Sequence, residues 1–495
     1  MIIKIDNLFE HNWLIFSASI AVIIALIILS EFFFNQKKTT SNFNRKSIHI
    51  LVGCFASFSP LFFSSNLPSI VLALIFILID MVNIKYKLLK SMESINKLSL
   101  GTIFFPVSYL IFSLFFWNYT EFFILSFLIL SIADPLASII GENLKKPKMY
   151  QVWIDKKSIE GTITFFATSF LILYFGSSFL FPYSLAYIFC FSFFIASFAT
   201  IAELISARGS DNLSIPVISI LLMIAFDFRF SGIMQMNQII GSSYFFMIII
   251  LIFLLYVFMT LEALSLSGFL GALIMGVVLI MLTNLNYLVL FAIFFIFCSL
   301  VSKLIKKKDF ISTKGSKRDV IQVYANGGIA LLICLYDYFY PSSLNILLFS
   351  SSIAAAMSDT WATEFGKLSK SKPKSIISLK TINHGESGGI TLIGTFGSII
   401  GSTIIGFSAY LLFSISVINV LGIILSGFFS ALIDSILGAT LQGKYKLIDS
   451  EKIIEVENKN STHSSGYKWM TNDIVNLINT FISPFLFLIF HVIIL

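Results

Sequence analysis

Apolar runs of about 17–25 residues, separated by shorter polar stretches, recur along the whole chain. Each is long enough to cross roughly 30 Å of hydrocarbon as a helix. The runs are continuous and do not alternate, which excludes a β-barrel. They predict about sixteen helices, near 13–34, 47–64, 67–84, 102–118, 121–141, 162–182, 184–205, 213–227, 242–261, 263–283, 285–302, 321–339, 343–363, 388–411, 416–439 and 473–493. The first run keeps Glu31 at its end and has no small-residue cleavage site, so it reads as a span and not as a removed signal peptide.

Composition agrees with this pattern. The chain has 495 residues, 57% of them hydrophobic and 12% charged, with a mean hydropathy of +0.92. A soluble protein this apolar could not cover its surface. The net charge of +7 comes from loops between spans. Basic residues follow the first span (Lys37, Lys38, Arg45, Lys46), the third (Lys85, Lys87, Lys90, Lys97) and the fifth (Lys145, Lys146, Lys148, Lys156, Lys157). They recur after the eleventh (Lys303, Lys306, Lys307, Lys308, Lys314, Lys317, Arg318), the thirteenth (Lys367, Lys370, Lys372, Lys374, Lys380) and the fifteenth (Lys444, Lys446, Lys452, Lys459, Lys468). All follow odd-numbered spans, so the positive-inside rule puts these loops in the cytoplasm and both termini outside, most simply in a cell (inner) membrane.

No soluble basic domain exists, so nucleic acid is not an expected partner. Cys54, Cys190, Cys298 and Cys334 lie inside apolar runs without paired spacing and imply neither a disulfide nor a zinc site. A polar stretch near 228–242 divides the chain into 1–232 and 243–495. The expected fold is an all-α integral membrane protein of two fused bundles, each of about eight helices.

The first half carries three polar constellations beside its basic loops. Arg45-Lys46-Ser47-Ile48-His49 stands where the second helix begins; a snorkelling interfacial cluster is the plain alternative. Asp134, Ser138 and Gly141 fall at i, i+4 and i+7 at the end of the fifth helix and share one face. A carboxylate there is expensive unless it meets a cation or water, and Gly141 would admit a ligand close to the backbone. Lys156-Lys157-Ser158-Ile159-Glu160-Gly161-Thr162 then precedes a helix, and lysines, a hydroxyl and a helix N-terminus together suit phosphate oxygens. Asp134 beside that loop suits a Mg²⁺ ion bridging phosphates. Glu203, followed by Asp211-Asn212, forms a second candidate metal or nucleotide contact. The alternative is a set of caps on a positive-inside loop.

In the second half, Gln322, Asn326 and Gly327 open the twelfth helix, and Asp359 and Glu364 end the thirteenth. The two acids are five residues apart and converge only if that helix end unwinds. His384, Gly388 and Gly389 open the fourteenth, Asp434 lies within the fifteenth, and Asn472, Asp473 and Asn476 enter the last. Acids and amides at five helix ends on one side of the membrane point to a shared polar site, with isolated caps and interhelical hydrogen bonds as the alternative.

In order, R-K-x-x-H, D-x-x-A-x-x-x-G, K-K-S-x-E-G-T, E and D-N-L-x-x-P resemble the phytol kinase and dolichol kinase group, related to CDP-diacylglycerol synthases, over about 40–227. The resemblance implies a CTP-dependent lipid-alcohol kinase. It matches Asp134 and Gly141 to the nucleotide–metal motif, Lys156, Lys157, Glu160, Gly161 and Thr162 to the phosphate loop, and Glu203, Asp211 and Asn212 to the closing motif. The loop from Glu142 to Asp155 departs from the pattern in having no second glycine. Over about 243–495, the stretch from Ser265 to Gly276, Q-V-x-A-N-G-G, S-D-T-W-A-T-E-x-G, the G-x-x-G-G turn and W-M-T-N-D-x-V-N resemble a family long classed as a domain of unknown function, which includes phytyl-phosphate kinases. Here Ser358 and Glu386 depart from the pattern.

The two resemblances imply a bifunctional kinase that takes a prenol such as phytol, farnesol, geranylgeraniol or a polyprenol to the monophosphate with CTP and then to the diphosphate. Mg²⁺ is the expected cofactor, with Asp134, Asp359 and Asp434 as its ligands, and CTP or another nucleoside triphosphate the phosphate donor. Membrane lipid, the isoprenoid alcohol and its phosphates are the expected partners, met on the cytoplasmic side. Alternatives are a CDP-lipid synthase and a lipid-phosphate transporter. No G-x-x-x-x-G-K-S/T loop occurs, so a P-loop kinase is excluded.

Overall fold

A computed structural model describes residues 12–36, 40–86, 100–230, 238–305, 317–448, 453–458 and 460–494. Lys37, Lys38, Lys87, Lys90, Lys97, Lys306, Lys307, Lys308, Lys314, Lys452 and Lys459, and the middle of the 228–242 stretch, lie outside them. The chain forms two compact units, Met1–Gly241 and Ser242–Leu495.

The described residues form sixteen helices, one for each apolar run. In the first unit they are α1 (Asn12–Asn35), α2 (Ser41–Phe62), α3 (Leu67–Tyr86), α4 (Gly101–Phe115), α5 (Thr120–Asn143), α6 (Ile159–Leu180), α7 (Leu185–Leu204) and α8 (Asp211–Phe230). The second unit holds α9 (Gln238–Thr260), α10 (Leu266–Leu282), α11 (Leu285–Ile305), α12 (Val320–Phe339), α13 (Ser343–Gly366), α14 (Leu392–Phe413), α15 (Val417–Thr440) and α16 (Asn472–Ile494). Twelve of them are long and apolar enough to cross a membrane; α4 and α10 are shorter apolar helices. Helix α2, with Asn42, Asn44, Arg45, Lys46 and His49, and α13, with three consecutive serines, are long but more polar.

Caps move several helix starts from their expected places. Thr40 accepts from the Phe43 amide at 3.2 Å and starts α2 early, so Arg45, Lys46 and His49 stand within the helix and not at its mouth. Ser158 caps α6 and Asp319 forms a capping box with Gln322 on α12. Helix α14 starts only after Thr391, which leaves His384, Gly388 and Gly389 in the preceding turn and strand. The loops carry small antiparallel sheets: β1 (Met149–Gln151) with β2 (Lys156–Ser158), β3 (Lys374–Ser375) with β4 (Gly389–Ile390), and β6 (Ile453–Ile454), β5 (Lys444–Leu447) and β7 (Ser461–Ser465) in that order.

In the first unit α5 is central and packs on α2, α6 and α8. Its Phe123, Leu125, Phe127 and Ile129 are wholly buried, with Phe112 edge-on to Phe127 at 4.8 Å. A π-turn at Ile129–Ala133 interrupts the helix one residue before Asp134. In the second unit α13 is central, enclosed by α11, α12, α14, α15 and α16. Small residues let the backbones approach: a Cβ on Gly394, Gly397 or Gly401 of α14 would lie 2.8, 2.8 or 3.0 Å from the carbonyl oxygens of Ala362, Trp361 and Met357. Buried hydroxyls bond across helices, Ser352 to the Thr480 carbonyl at 2.9 Å, Thr480 to that of Ala325 at 3.2 Å and Ser483 to that of Ser351 at 2.8 Å.

Candidate functional site

A cavity of about 920 Å³ opens between α1–α5, the β1–β2 hairpin and the start of α8. Its walls change character along the helix axes. On α2, Arg45, Lys46 and His49 give way to Val52, Phe55 and Ala56; on α3, Asn83 and Asp80 give way to Phe76, Ala73 and Leu72. On α4, Gly101 and Thr102 precede Phe105 and Tyr109. The polar end lies where the basic loops emerge, and Asp134, Ser138, Lys156, Lys157, Arg208, Asp211 and Asn212 complete it. The separate sequence constellations therefore meet at one chamber with a charged end and an apolar end.

Asp134 lies in electrostatic range of Asp211, Lys157, Glu203 and Arg45. Lys157 is ion-paired with the buried Glu203. Burial pulls the Lys157 pKa down, but Glu203, Asp211 and Asp134 outweigh it and hold the ammonium above the usual lysine value. Lys46 pairs with Glu142 at 2.6 Å, and Asn42 and Ser138 donate to the same carboxylate at 2.7 and 2.8 Å. His49 Nε2 meets the Leu130 carbonyl at 3.2 Å within the π-turn, so that nitrogen is the donor. Asn212 donates to the Gly101 carbonyl at 3.2 Å, while its Oδ1 and Glu203 Oε2 are buried without a hydrogen bond.

Other expected residues serve the scaffold. A Cβ on Gly141 would stand 2.6 Å from Ser158 Oγ, and one on Gly161 2.8 Å from the same atom and 3.1 Å from the Ala137 carbonyl. Both glycines let α5 cross the start of α6, and neither lines the cavity. Glu160 accepts from the Lys148 amide at 3.1 and 3.2 Å, and Thr162 Oγ1 meets the Tyr150 hydroxyl at 2.5 Å, so both secure the hairpin.

In the second unit Asp359 and Asp434 come within electrostatic range of each other and of Glu455, which follows β6. Asp434 Oδ2 is buried without a hydrogen bond. Ser387 donates to Glu455, and Lys444 Nζ donates to the Ser387 carbonyl at 3.1 Å. Burial lowers the Lys444 pKa, and Glu386 and Glu455 only partly oppose that shift. Gly388 (φ +85°) brings the turn against α15, where a Cβ would stand 2.5 Å from Ala439 Cβ.

Helix α13 stays wound to Gly366, so Glu364 does not join Asp359; it pairs with Lys367 at 2.8 Å and accepts from Ser302 at 3.1 Å. Gln322 is spent on the Asp319 capping box, Asn326 donates to the Gln322 carbonyl at 2.9 Å, and Gly327 packs on Met275 and Phe291. His384 is half-buried in its turn, and Gly389 pairs in β4. Asn472, Asp473 and Asn476 are half-buried on the first turns of α16.

Sequence reading gave no site role to Asp80, Glu142, Asp155 and Arg208 at the cavity, or to Ser387, Lys444 and Glu455 in the second unit. Asp80 had a signal, an acid inside an apolar run. Arg208 (φ 55°) reaches the cavity through a tight turn with Gly209, its amide donating to Asp155 at 3.0 Å. Glu455 had none, because a loop acid gains its meaning only from where the loop folds.

Among the described residues no three His, Cys, Asp or Glu side chains are grouped to hold a metal ion. Mg²⁺ commonly takes one or two carboxylates and completes its shell with water and phosphate oxygens. Asp134 with Asp211, and Asp434 with its orphaned oxygen beside Asp359, fit that mode.

These features define a helical integral membrane protein with a polar chamber in its first unit and an acidic cluster in its second. The family described as integral membrane protein DUF92 matches residues 249–483. An uncharacterized membrane protein of Methanocaldococcus jannaschii is 35% identical over 179 residues, which is 36% of this chain and 74% of that protein. The chain belongs to this integral membrane family. Protein PGR of Arabidopsis thaliana is 27% identical over 232 residues, 41% of this chain and 80% of its own. A protein named phytol kinase, from a Synechocystis strain, is 29% identical over 160 residues, 31% of this chain and 66% of its own. No solved structure matches.

Proposed function

We propose that the chain is a bifunctional isoprenoid-alcohol kinase. The first unit, about 1–232, transfers the terminal phosphoryl group of CTP to a prenol, giving CDP and the monophosphate. The second, about 243–495, adds the second phosphate. The observation that carries this reading is the first unit's cavity, whose walls pass from charged to apolar along one direction. An amphiphile with a long hydrocarbon tail and a small polar head fits that gradient, its tail against Val52, Phe55, Leu72 and Phe76 and its head near Asp134 and Lys157. Similarity of part of the chain to a protein named phytol kinase supports an isoprenoid alcohol as that amphiphile.

In this reading Lys157, held charged by Glu203, and Arg45, Lys46, Lys156 and Arg208 attract the triphosphate. His49, fixed by the Leu130 carbonyl, orients the head group, and the apolar end keeps water from the acceptor oxygen. Asp134 with Asp211 would hold Mg²⁺ in the first unit, and Asp359 with Asp434 in the second. An ion held there would supply charge neutralisation for the phosphoryl group in transfer. The reading puts these sites on the cytoplasmic side of a cell membrane, where nucleotide is found.

The test is a labelling experiment on the full chain in lipid nanodiscs with farnesol or phytol. Label from the γ-phosphate of CTP is expected in the lipid monophosphate and then the diphosphate. Label from the α-phosphate instead would make the protein a CDP-lipid synthase. Neither label in lipid, with lipid phosphate moving between leaflets, would make it a transporter.

A further inference from the structure

Asp80 is a carboxylate on the wall of the chamber that belongs to none of the constellations described above. Helix α3 faces the cavity with Leu72, Ala73 and Phe76 and then, one turn on, with Asp80. The side chain is half-buried, and no hydrogen bond or ion pair engages it among the described residues. The charged groups acting on Asp134 are Asp211, Lys157, Glu203 and Arg45. None of these acts on Asp80. Among the described residues it therefore stands apart from that basic rim, where α3 changes from apolar to polar. At 1.5 Å per residue it is about 9 Å from the end of α3, a depth similar to that of His49, about 12 Å from the start of α2.

A carboxylate in such a wall is expensive unless a donor meets it. In its ionised form it can only accept hydrogen bonds. The hydroxyl of a lipid alcohol is a donor, whereas a phosphate monoester is an anion that offers acceptors. We propose that Asp80 is a specificity-determining residue that accepts a hydrogen bond from the hydroxyl of a lipid alcohol and repels the phosphorylated lipid. This rests on the reading of the first unit as acting on a lipid alcohol. Asp80 would then both select the substrate and favour release of the product, since discrimination can come from repulsion as much as from attraction.

The experiment uses the full chain in neutral phosphatidylcholine nanodiscs and direct binding of tritiated farnesol, farnesyl monophosphate and farnesyl methyl ether. Wild type should bind farnesol about tenfold more tightly than the ether, which lacks the donor. Asp80→Asn should weaken farnesol by about tenfold and tighten the monophosphate several-fold, with CTP binding unchanged. Asp80→Glu, which keeps the charge, should retain exclusion of the monophosphate. A structural role would move alcohol and phosphate together. Equal binding of alcohol and ether by wild type, parallel shifts in Asp80→Asn, or no farnesol binding at all would overturn the proposal. Selective farnesol binding without transfer of γ-phosphate would uphold Asp80 as the alcohol's acceptor and fail the kinase reading alone.

Discussion

Asp134 and Asp359 each sit about two turns before the end of the central helix of their unit, yet their electrostatic surroundings differ. Around Asp134 the acids Asp211 and Glu203 are accompanied by cations, with Lys157 and Arg45 in range and Lys46, Lys156 and Arg208 on the same cavity. Around Asp359 and Asp434 it supplies a third acid, Glu455, with Lys444 at the margin. Carboxylates gathered in apolar helices without protein cations leave a demand for positive charge that a bound ion would meet. The first unit meets part of that demand itself. In the proposed function, the difference suits an uncharged acceptor that must be brought to a triphosphate in one unit, and an acceptor already carrying a phosphate in the other.

Four changes test this contrast, the largest expected effect first. Asp134→Asn should lower monophosphate formation by about a thousandfold, several kcal/mol of lost phosphoryl-charge neutralisation, with the protein still eluting as a folded species in detergent. Near-normal prenol phosphorylation would remove Asp134 from the chemistry. Asp359→Asn or Asp434→Asn should slow only the second step, by about a hundredfold, so that monophosphate accumulates in product analysis. Diphosphate formed at the normal rate would put the second site elsewhere.

Gly388→Ala tests the turn that brings Ser387 towards Glu455. The residue has φ +85° and its new Cβ would meet Ala439 at 2.5 Å, so about 1–3 kcal/mol of strain should fall on the second unit. The second step should drop about tenfold with the first unchanged; an equal loss of both would tie the turn to the whole molecule. The smallest effect concerns the linkage. Fragments 1–232 and 243–495, expressed separately, should each keep their own step, and their mixture should release a few-fold more free monophosphate than the intact chain. A well-expressed second fragment unable to phosphorylate supplied farnesyl monophosphate would break the two-enzyme reading, leaving a binding or transport role for that unit.

The helices were legible because crossing hydrocarbon imposes a length and a composition that any sequence must display. Each apolar run became one helix, even the polar α13. Parts of the first site were legible too: Asp134, Ser138, Lys156, Lys157, Asp211 and Asn212 announce themselves as polar groups at helix ends, and the chamber gathers them. Gly141, Gly161, Glu160, Thr162, Gln322 and Glu364 carried the same marks yet serve packing, capping or hairpin closure. A glycine or a carboxylate beside a helix end looks alike in sequence whether it faces a ligand or a neighbouring backbone.

By itself the sequence determined the membrane class and the number of the helices, because these depend on local hydrophobic pattern. Only the tertiary structure decided which of those polar groups face a common space. It brought in Asp80 and Arg208, joined Glu455 to Asp359 and Asp434, and turned Glu364 away. Those choices depend on helix rotation and loop path, which are set by contacts between residues far apart in the chain, such as Lys157 with Glu203 and Gly388 with Ala439.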